Sequence, residues 1–228
     1  MPHILDRPMW NALTSRQAHL TSGDGRAVRL DAAFGPFGGL RDASLECQTA
    51  LADLVGTRDA VVFIDIDAAP TPTGLRLITQ EPLNQMVLER APTAAAAVDL
   101  VDLTDDDAAE MRALTHLTKP GPFAKRTHEL GDFVGVKING QIAAMAGERM
   151  KPVGFTEVSA VCTHPDHRGR GYGAALTRRV AERIQARGET PFLHVFPHNT
   201  PAIAVYEQLG FVLRKVMALT VLARPASD

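Results

Sequence analysis

The sequence has few cysteines, little net charge and no long apolar run. Only two cysteines, Cys47 and Cys162, occur among 228 residues, too few and too scattered for a disulfide framework or a cysteine-based zinc site. No apolar segment approaches the roughly 20 residues of a membrane-spanning helix, and no signal-peptide pattern is present. These absences exclude a disulfide-stapled fold and a membrane span, so we expect a cytoplasmic protein without a membrane partner.

The charge is balanced. There are 24 Lys and Arg against 26 Asp and Glu, a net charge of −2, which argues against a dedicated nucleic-acid binder. Arg178, Arg179, Arg183 and Arg187 give one predicted helix a basic face, which we interpret as a solvated surface. No His, Cys, Asp and Glu cluster has metal-ligand spacing. We therefore expect no nucleic-acid partner and no metal.

A domain boundary is predicted near residues 91–97, where Ala-Pro-Thr precedes four alanines, although this segment could equally form a short helix. It divides the chain into domains 1–96 and 97–228. The first domain predicts a helix over Ser44–Val55, with Leu45 and Leu51 on its apolar face, and a strand over Ala60–Ile66.

The second domain predicts a complete α/β unit. Residues 98–103 alternate between apolar and polar side chains, which predicts a strand. Thr104 with Asp107 resembles the capping box that opens a helix. Asn139-Gly140 supplies the positive φ angles of a type I′ turn, which predicts a hairpin over 132–150. Later strands are predicted at 156–162, 192–196 and 211–222, and helices over 174–187 and 199–209.

Between a strand and a helix lies Arg168-Gly169-Arg170-Gly171-Tyr172-Gly173. Its glycines let backbone N–H groups approach an anion closely, and the helix N-terminus adds about half a positive charge. The segment predicts a phosphate cradle. It is neither a Walker loop nor a dinucleotide fingerprint, because the following Lys-Ser/Thr and the glycine spacing of those motifs are missing.

Arg168, Gly171 and Gly173 follow the pattern Arg/Gln-x-x-Gly-x-Gly/Ala. Together with Asn199 and the later Tyr206–Phe211 segment, they strongly resemble the GNAT superfamily of acyl-CoA-dependent N-acetyltransferases. Residues 154–165 resemble the branch with glycine N-acyltransferase-like domains. The resemblance implies a GNAT fold within an α/β (α+β) chain: a mixed, mostly antiparallel sheet flanked by helices.

Two hypotheses remain open for residues 1–96. Gly35-Pro36-Phe37 recurs as Gly121-Pro122-Phe123, each time after Ala-Leu-Thr, which suggests a degenerate copy of the same fold. The alternative is a lid that shapes the acceptor pocket.

The resemblance implies a site for acetyl-CoA as co-substrate, with the Val161 N–H as the oxyanion donor. The residues implied for coenzyme binding are Val161, Cys162, Thr163, Arg168, Gly169, Arg170, Gly171, Tyr172, Gly173, Ala174 and Asn199.

Two catalytic residues are implied by the same resemblance. Tyr206 would protonate the departing thiolate, with a packed core aromatic as the alternative. Glu157 would be the general base, usually through water, with a solvated glutamate as the alternative; strand alternation predicts that it shares a face with Ser159 and Val161. Covalent catalysis by Cys162 is disfavoured because no histidine lies at a diagnostic position beside it. His194 could face the acceptor or belong to the core.

The predicted function is direct acyl transfer, most simply of acetyl, to a primary amine of a small molecule, amino acid or peptide in a ternary complex. A non-catalytic acyl-CoA sensor and a weak RNA- or partner-binding module are the alternatives. The sequence does not identify the acceptor or the oligomeric state, for which a homodimer is one candidate.

Overall fold

The structure is a computed structural model that describes residues 2–57, 59–90 and 98–225. The described chain has the helices α1 (Pro8–Leu13), α2 (Leu45–Leu54), α3 (Ala108–Thr118), α4 (Tyr172–Ala186) and α5 (Thr200–Gln208). Its strands are β1 (Thr21–Gly23), β2 (Ala27–Leu30), β3 (Gly38–Leu40), β4 (Ala60–Asp65), β5 (Arg76–Leu88), β6 (Val101–Leu103), β7 (Phe133–Ile138), β8 (Gln141–Glu148), β9 (Phe155–Thr163), β10 (Thr190–Val195) and β11 (Phe211–Ala223). The domain boundary predicted at 91–97 lies outside the described residues.

The chain forms two compact units. The first comprises Met1–Asn84, Met150–Val153 and Lys215–Asp228, and the second Gln85–Arg149 and Gly154–Arg214. In the first unit, β1, β2 and β3 form an antiparallel sheet on which α2 packs. Separately, β4 pairs antiparallel with the end of β11, from Ala60↔Ala223 to Asp65↔Ala218.

Helix α2 begins as predicted but exposes one expected core residue. The Ser44 side chain caps its N-terminus by accepting from the Cys47 N–H, so the first helical residue is Leu45. Leu51 is fully buried, whereas Leu45 is 73% exposed. The prediction that Leu45 belongs to the buried face is wrong, because the first turn of α2 points this side chain into solvent.

The second unit is built on consecutive strands in the order β10, β9, β8, β7 and β6. β10 and β9 are parallel and the other neighbours are antiparallel. Asn139 and Gly140 both have positive φ, 52° and 83°, and connect Ile138↔Gln141 in the predicted hairpin. The capping box of Thr104 and Asp107 is also present. Strand β6 is shorter than predicted, since its pairing with β7 begins only at Val101.

Alternation along β8 places two apolar clusters on opposite faces of this sheet. Ala144 and Ala146 pack with α4 residues such as Leu176 and Val180. Met145 instead joins Met111 and Leu114 of α3. Helices therefore flank both faces, which confirms the predicted mixed, mostly antiparallel sheet. Within the described residues, no helix is long and apolar enough to cross a membrane.

Candidate coenzyme site

A β-bulge in β9 shapes the centre of the site. Ala160 has a positive φ of 52°, and the β8–β9 register slips between Met145↔Cys162 and Gly147↔Ser159. The extra residue reverses the alternation: Val161 packs on the α4 side with Val158, whereas Cys162 packs on the α3 side. The prediction that Glu157 and Val161 share a face is therefore wrong, because strict alternation ends at the bulge.

The described pairing of β9 with β10 ends before the bulge. Their described parallel register ends at Phe192↔Glu157, although β9 continues to Thr163. The backbone of Val161–Thr163 is therefore outside the described register with β10. The end of this pairing leaves an opening at the three β9 residues that the resemblance implied for coenzyme binding.

A cavity of about 590 Å³ occupies this opening. Five predicted coenzyme-site residues line it: Val161, Cys162, Thr163, Arg168 and Asn199. The other lining residues, which sequence reasoning missed, are Thr118, Lys119, Pro120, Gly121, Phe196, His198 and Pro201. They come from the end of α3 with the segment after it, and from the connection between β10 and α5 with the first turn of α5, so only the folded sheet brings them to this point.

The glycine-rich segment joins β9 to α4 as predicted. Gly169 and Gly171 have φ angles of 75° and 77°, and a Cβ added at either would meet nothing within 4 Å. Gly171 is the residue immediately before α4. At Gly173, an added Cβ would lie 3.9 Å from Val161 Cγ1, an ordinary contact distance. The segment predicted as a cradle is therefore open at Gly169 and Gly171, which leaves room for an anion.

The remaining predicted cradle side chains surround this loop. Arg168 and Arg170 are exposed and form no ion pair with any described residue. Tyr172 and Ala174 are half-buried and pack against the same cluster as Val161. Neither Arg170 nor residues 171–174 are part of the cavity lining, so only Arg168 connects the cradle to the cavity through its side chain.

Asn199 has a structural role besides lining the cavity. Its side-chain oxygen accepts a hydrogen bond of 3.4 Å from the Ala202 N–H and caps α5. Capping fixes the side chain at the helix start, beside the cavity. Capping of α5 and lining of the cavity are compatible, and coenzyme contact by Asn199 stays a prediction.

Glu157 belongs to a buried ion pair. Its side chain is 1% exposed, and Arg149 binds it in a bidentate manner at 2.9 Å (Nε to Oε2) and 2.7 Å (Nη2 to Oε1). Burial alone would raise the pKa of Glu157, but the charge and hydrogen bonds of Arg149, together with His194, lower it from 4.5 to about 2. The side chain is neither the solvated glutamate that the sequence allowed nor part of the cavity lining.

His194 continues the network beyond Glu157. Its Nδ1 lies 2.7 Å from Glu157 Oε1, and its Nε2 lies 3.2 Å from the Gln85 amide nitrogen. Arg214 donates to the Gln85 amide oxygen at 2.8 Å, which fixes the amide orientation. This orientation turns the Gln85 amide nitrogen towards Nε2 and leaves Nδ1 facing the Glu157 carboxylate. His194 is thus a satisfied interior residue.

Tyr206 is buried at 9% exposure, and its ring contacts Phe211 edge-on with centroids 6.1 Å apart. Burial raises the pKa of its phenol to about 12. Tyr206 shares a cluster with Val161 but is not among the described residues that line the cavity. No described residue forms a hydrogen bond with its hydroxyl. The phenol is therefore neutral at physiological pH and retains its proton-donating capacity.

Cys162 lies at the cavity wall but is protected from ionisation. Burial raises the pKa of its thiol to about 11. Since only the thiolate is an effective nucleophile, this environment opposes covalent catalysis at neutral pH. No group of three or more metal-binding side chains occurs within residues 2–57, 59–90 and 98–225.

The basic face of α4 is largely neutralised within the second unit. Arg178 pairs with Glu182 at 2.7 Å, Arg183 with Asp102 at 2.6 Å and Arg187 with Glu148 at 2.6 Å. This pairing suits a surface that stabilises the fold better than one that binds phosphates.

Comparisons with known proteins agree with this geometry. Residues 134–219 match the family model described as FR47-like protein. A crystal structure assigned to the GNAT acetyltransferase family, from Novosphingobium aromaticivorans, is 40% identical, with a TM-score of 0.92 over 99% of this chain and 100% of that one. A mycothiol acetyltransferase of Thermobispora bispora is 32% identical over 151 residues, which are 64% of this chain and 49% of that protein.

A mycothiol acetyltransferase of Streptomyces coelicolor is 28% identical over 198 residues, or 85% of this chain and 60% of that protein. The chain thus spans about half the length of the curated relatives it matches. The full-length match at 40% identity establishes the family. The chain belongs to the GNAT superfamily of N-acetyltransferases.

Proposed function

We propose that this protein transfers an acetyl group from acetyl-CoA directly to a primary amine of a small molecule, amino acid or peptide. The observation that carries the proposal is the cavity in which the β9 backbone at Val161–Thr163 meets Arg168 and Asn199. The relatives named mycothiol acetyltransferase support acetyl transfer, but the partial coverage of their length does not carry their acceptor over to this chain.

In this proposal, each part of the site has a separate task. Backbone N–H groups of residues 168–174, with Arg168 and Arg170, bind the diphosphate of the coenzyme. The Val161–Thr163 backbone aligns its pantetheine arm. The Val161 N–H stabilises negative charge that develops on the thioester oxygen, a contribution of about 3 kcal/mol in comparable sites. Asn199 supports the coenzyme from the start of α5.

Proton transfer to the leaving group is assigned to Tyr206, and Glu157 is assigned a positioning role. Tyr206 donates to the departing thiolate, since its neutral phenol shares a cluster with Val161. For Glu157, the lowered pKa disfavours the base role inferred from the resemblance, because a carboxylate with pKa of about 2 is a weak proton acceptor. We assign Glu157 instead as the anion that holds Arg149 and His194 in place.

The direct test is free-thiol release from acetyl-CoA in the presence of a panel of amines and amino acids. We expect amine-dependent release, confirmed by mass measurement of the acetylated product. The matched control is Gly171→Val, which changes the open face of the cradle and should abolish release by blocking coenzyme binding.

One observation favours a second function, a non-catalytic acyl-CoA sensor: neither Glu157 nor Tyr206 is among the described residues that line the cavity. The same experiment separates the two. Tight acetyl-CoA binding with no thiol release for any amine would support the sensor and contradict the enzyme.

A further inference from the structure

A second cavity adjoins the coenzyme cavity. It measures about 450 Å³ and is lined by Arg112, Thr115, His116, Lys119, Gly121 and Phe123. Three of these side chains are basic, and none of the described lining residues is acidic. Arg112, His116 and Lys119 are spaced at i, i+4 and i+7, so α3 and its cap present them on one face.

These basic side chains lack carboxylate partners. Among the described residues, Arg112, His116 and Lys119 form neither an ion pair nor a side-chain hydrogen bond. Elsewhere in the same unit such pairs are frequent, as in Lys137 with Asp107 at 2.6 Å. The carboxylate of α3 closest in sequence, Glu110, accepts from the Ile142 N–H at 2.8 Å instead. The cavity therefore carries uncompensated positive charge.

The helix dipole explains only part of this pattern. His116 lies in the last turn of α3, and Lys119 is its C-terminal cap with φ of 50°. Positive charge there stabilises the partial negative charge of a helix C-terminus. Arg112 is the fifth residue of an 11-residue helix, too far from the end for this effect. Its half-buried position in the cavity wall points to a ligand.

The position of the cavity relates it to the acceptor. Lys119 and Gly121 line both cavities, and a Cβ at Gly121 would lie 3.9 Å from Arg149 Nη1, which belongs to the Glu157 network. Phe123 supplies an apolar wall and contacts Phe133 edge-on at 5.8 Å. A molecule in the second cavity would thus adjoin the coenzyme cavity that Val161–Thr163 line, with Lys119 and Gly121 between the two.

We propose that this second cavity binds an anionic group, a carboxylate or a phosphate, of the amine that accepts the acetyl group. Arg112 and Lys119 pair with the anion, His116 offers a further ring donor, and Phe123 contacts the apolar part of the acceptor. The proposal rests on the proposed acetyl transfer and narrows its substrate class to small anionic amines.

Binding and turnover of matched amine pairs test this subsite. The pairs are phenylalanine with phenylalaninamide, and O-phosphoethanolamine with ethanolamine, each titrated calorimetrically into the protein saturated with coenzyme A. We expect the anionic member of at least one pair to bind about tenfold more tightly or better, as expected for a charge-assisted contact. Arg112→Gln and Lys119→Gln should each remove most of that preference.

Arg179→Gln is the matched control, since Arg179 is exposed on α4 and has no described ion-pair partner. It should leave the preference intact. Equal binding within both pairs, or no binding of any probe, would overturn the subsite. A preserved preference without turnover of any amine would contradict the acetyltransferase proposal while supporting the subsite.

The 3′-phosphate of coenzyme A is the other anion that could occupy this cavity. Titration of coenzyme A and its 3′-dephospho form into wild type and Arg112→Gln separates these two anions, because Arg112 lines the second cavity and not the coenzyme cavity. We expect coenzyme affinities to change less than twofold. A loss of affinity for coenzyme A alone would assign the cavity to the 3′-phosphate and overturn the acceptor proposal.

Discussion

Glu157 and His194 lie on neighbouring parallel strands and are joined by a hydrogen bond of 2.7 Å between Oε1 and Nδ1. Arg149 neutralises the same carboxylate, and the Gln85 amide nitrogen lies 3.2 Å from the other ring nitrogen of His194. Because every member is buried or nearly so, each polar group depends on its neighbour to replace the hydrogen bonds that it would make with water. The network fixes the side chains at the point where β9 and β10 begin to separate.

The ionised form of Glu157 should make stability sensitive to acid. The folded state lowers the pKa from 4.5 to about 2, so its contribution is present above pH 4.5 and is lost as pH falls towards 2. The full effect is on the order of 3 kcal/mol. Urea unfolding of wild type and Glu157→Gln between those pH values should show that the variant loses less unfolding free energy as the pH falls. An equal dependence of the unfolding free energy on pH in the two proteins would contradict this assignment.

Arg149 and Glu157 should be strongly coupled in a double-mutant cycle. Arg149→Met leaves a buried carboxylate without its cation and should cost about 3–5 kcal/mol of unfolding free energy. Adding Glu157→Gln should recover much of that loss. The exposed pair Arg126–Glu129 is the control, with side chains 48% and 35% exposed, and its coupling should stay below about 1 kcal/mol. Additive effects at the buried pair would argue against coupling.

Much of the second unit could be predicted because its signals are local. Asn139-Gly140 specifies its turn, Thr104 with Asp107 specifies a helix start, and Asn199 specifies another. Each depends on backbone conformations that neighbouring residues determine. The glycine-rich turn before α4 was predictable for the same reason, since it is a contiguous segment.

The partners of Glu157 could not be predicted, since they come from distant parts of the chain. Arg149 and His194 meet Glu157 only after three strands pair in register. The bulge at Ala160 was also missed, because an alanine does not indicate a positive φ as a glycine would. Strict alternation therefore placed Val161 on the wrong face. The interpretation of residues 1–96 as a degenerate copy or a lid stays a prediction.

The cradle predicts a selective effect of glycine substitution. Gly171 and Gly140 both have positive φ, 77° and 83°, and both face open space. Alanine at either position should therefore cost a similar amount of stability, about 1 kcal/mol. Only Gly171→Ala should weaken acetyl-CoA binding in a calorimetric titration. Equal affinities for the two variants would remove the cradle assignment.

The pH dependence of turnover should distinguish an anchor from a general base at position 157. An anchoring carboxylate with pKa of about 2 stays ionised across the working range. Glu157→Gln should then lower kcat by a constant factor from about pH 6 to about pH 9. A limb of the wild-type profile that disappears in the variant would restore the base role.

Tyr206→Phe removes one hydroxyl and keeps the ring. If the phenol protonates the thiolate, single-turnover rates should fall by roughly 10²-fold, while acetyl-CoA affinity is nearly unchanged. Phe211→Leu is the matched control, because it alters packing against the same ring and should lower thermal stability with little effect on rate. Burial raises the pKa of the Tyr206 phenol from 10 to about 12, so the neutral acid persists up to that pH in the folded protein. Because the unfolded chain loses this proton at a lower pH, the free energy of unfolding should decline between pH 10 and 12 more in wild type than in Tyr206→Phe. Wild-type single-turnover rates in the Phe variant would make Tyr206 a packing residue and leave solvent as the proton source.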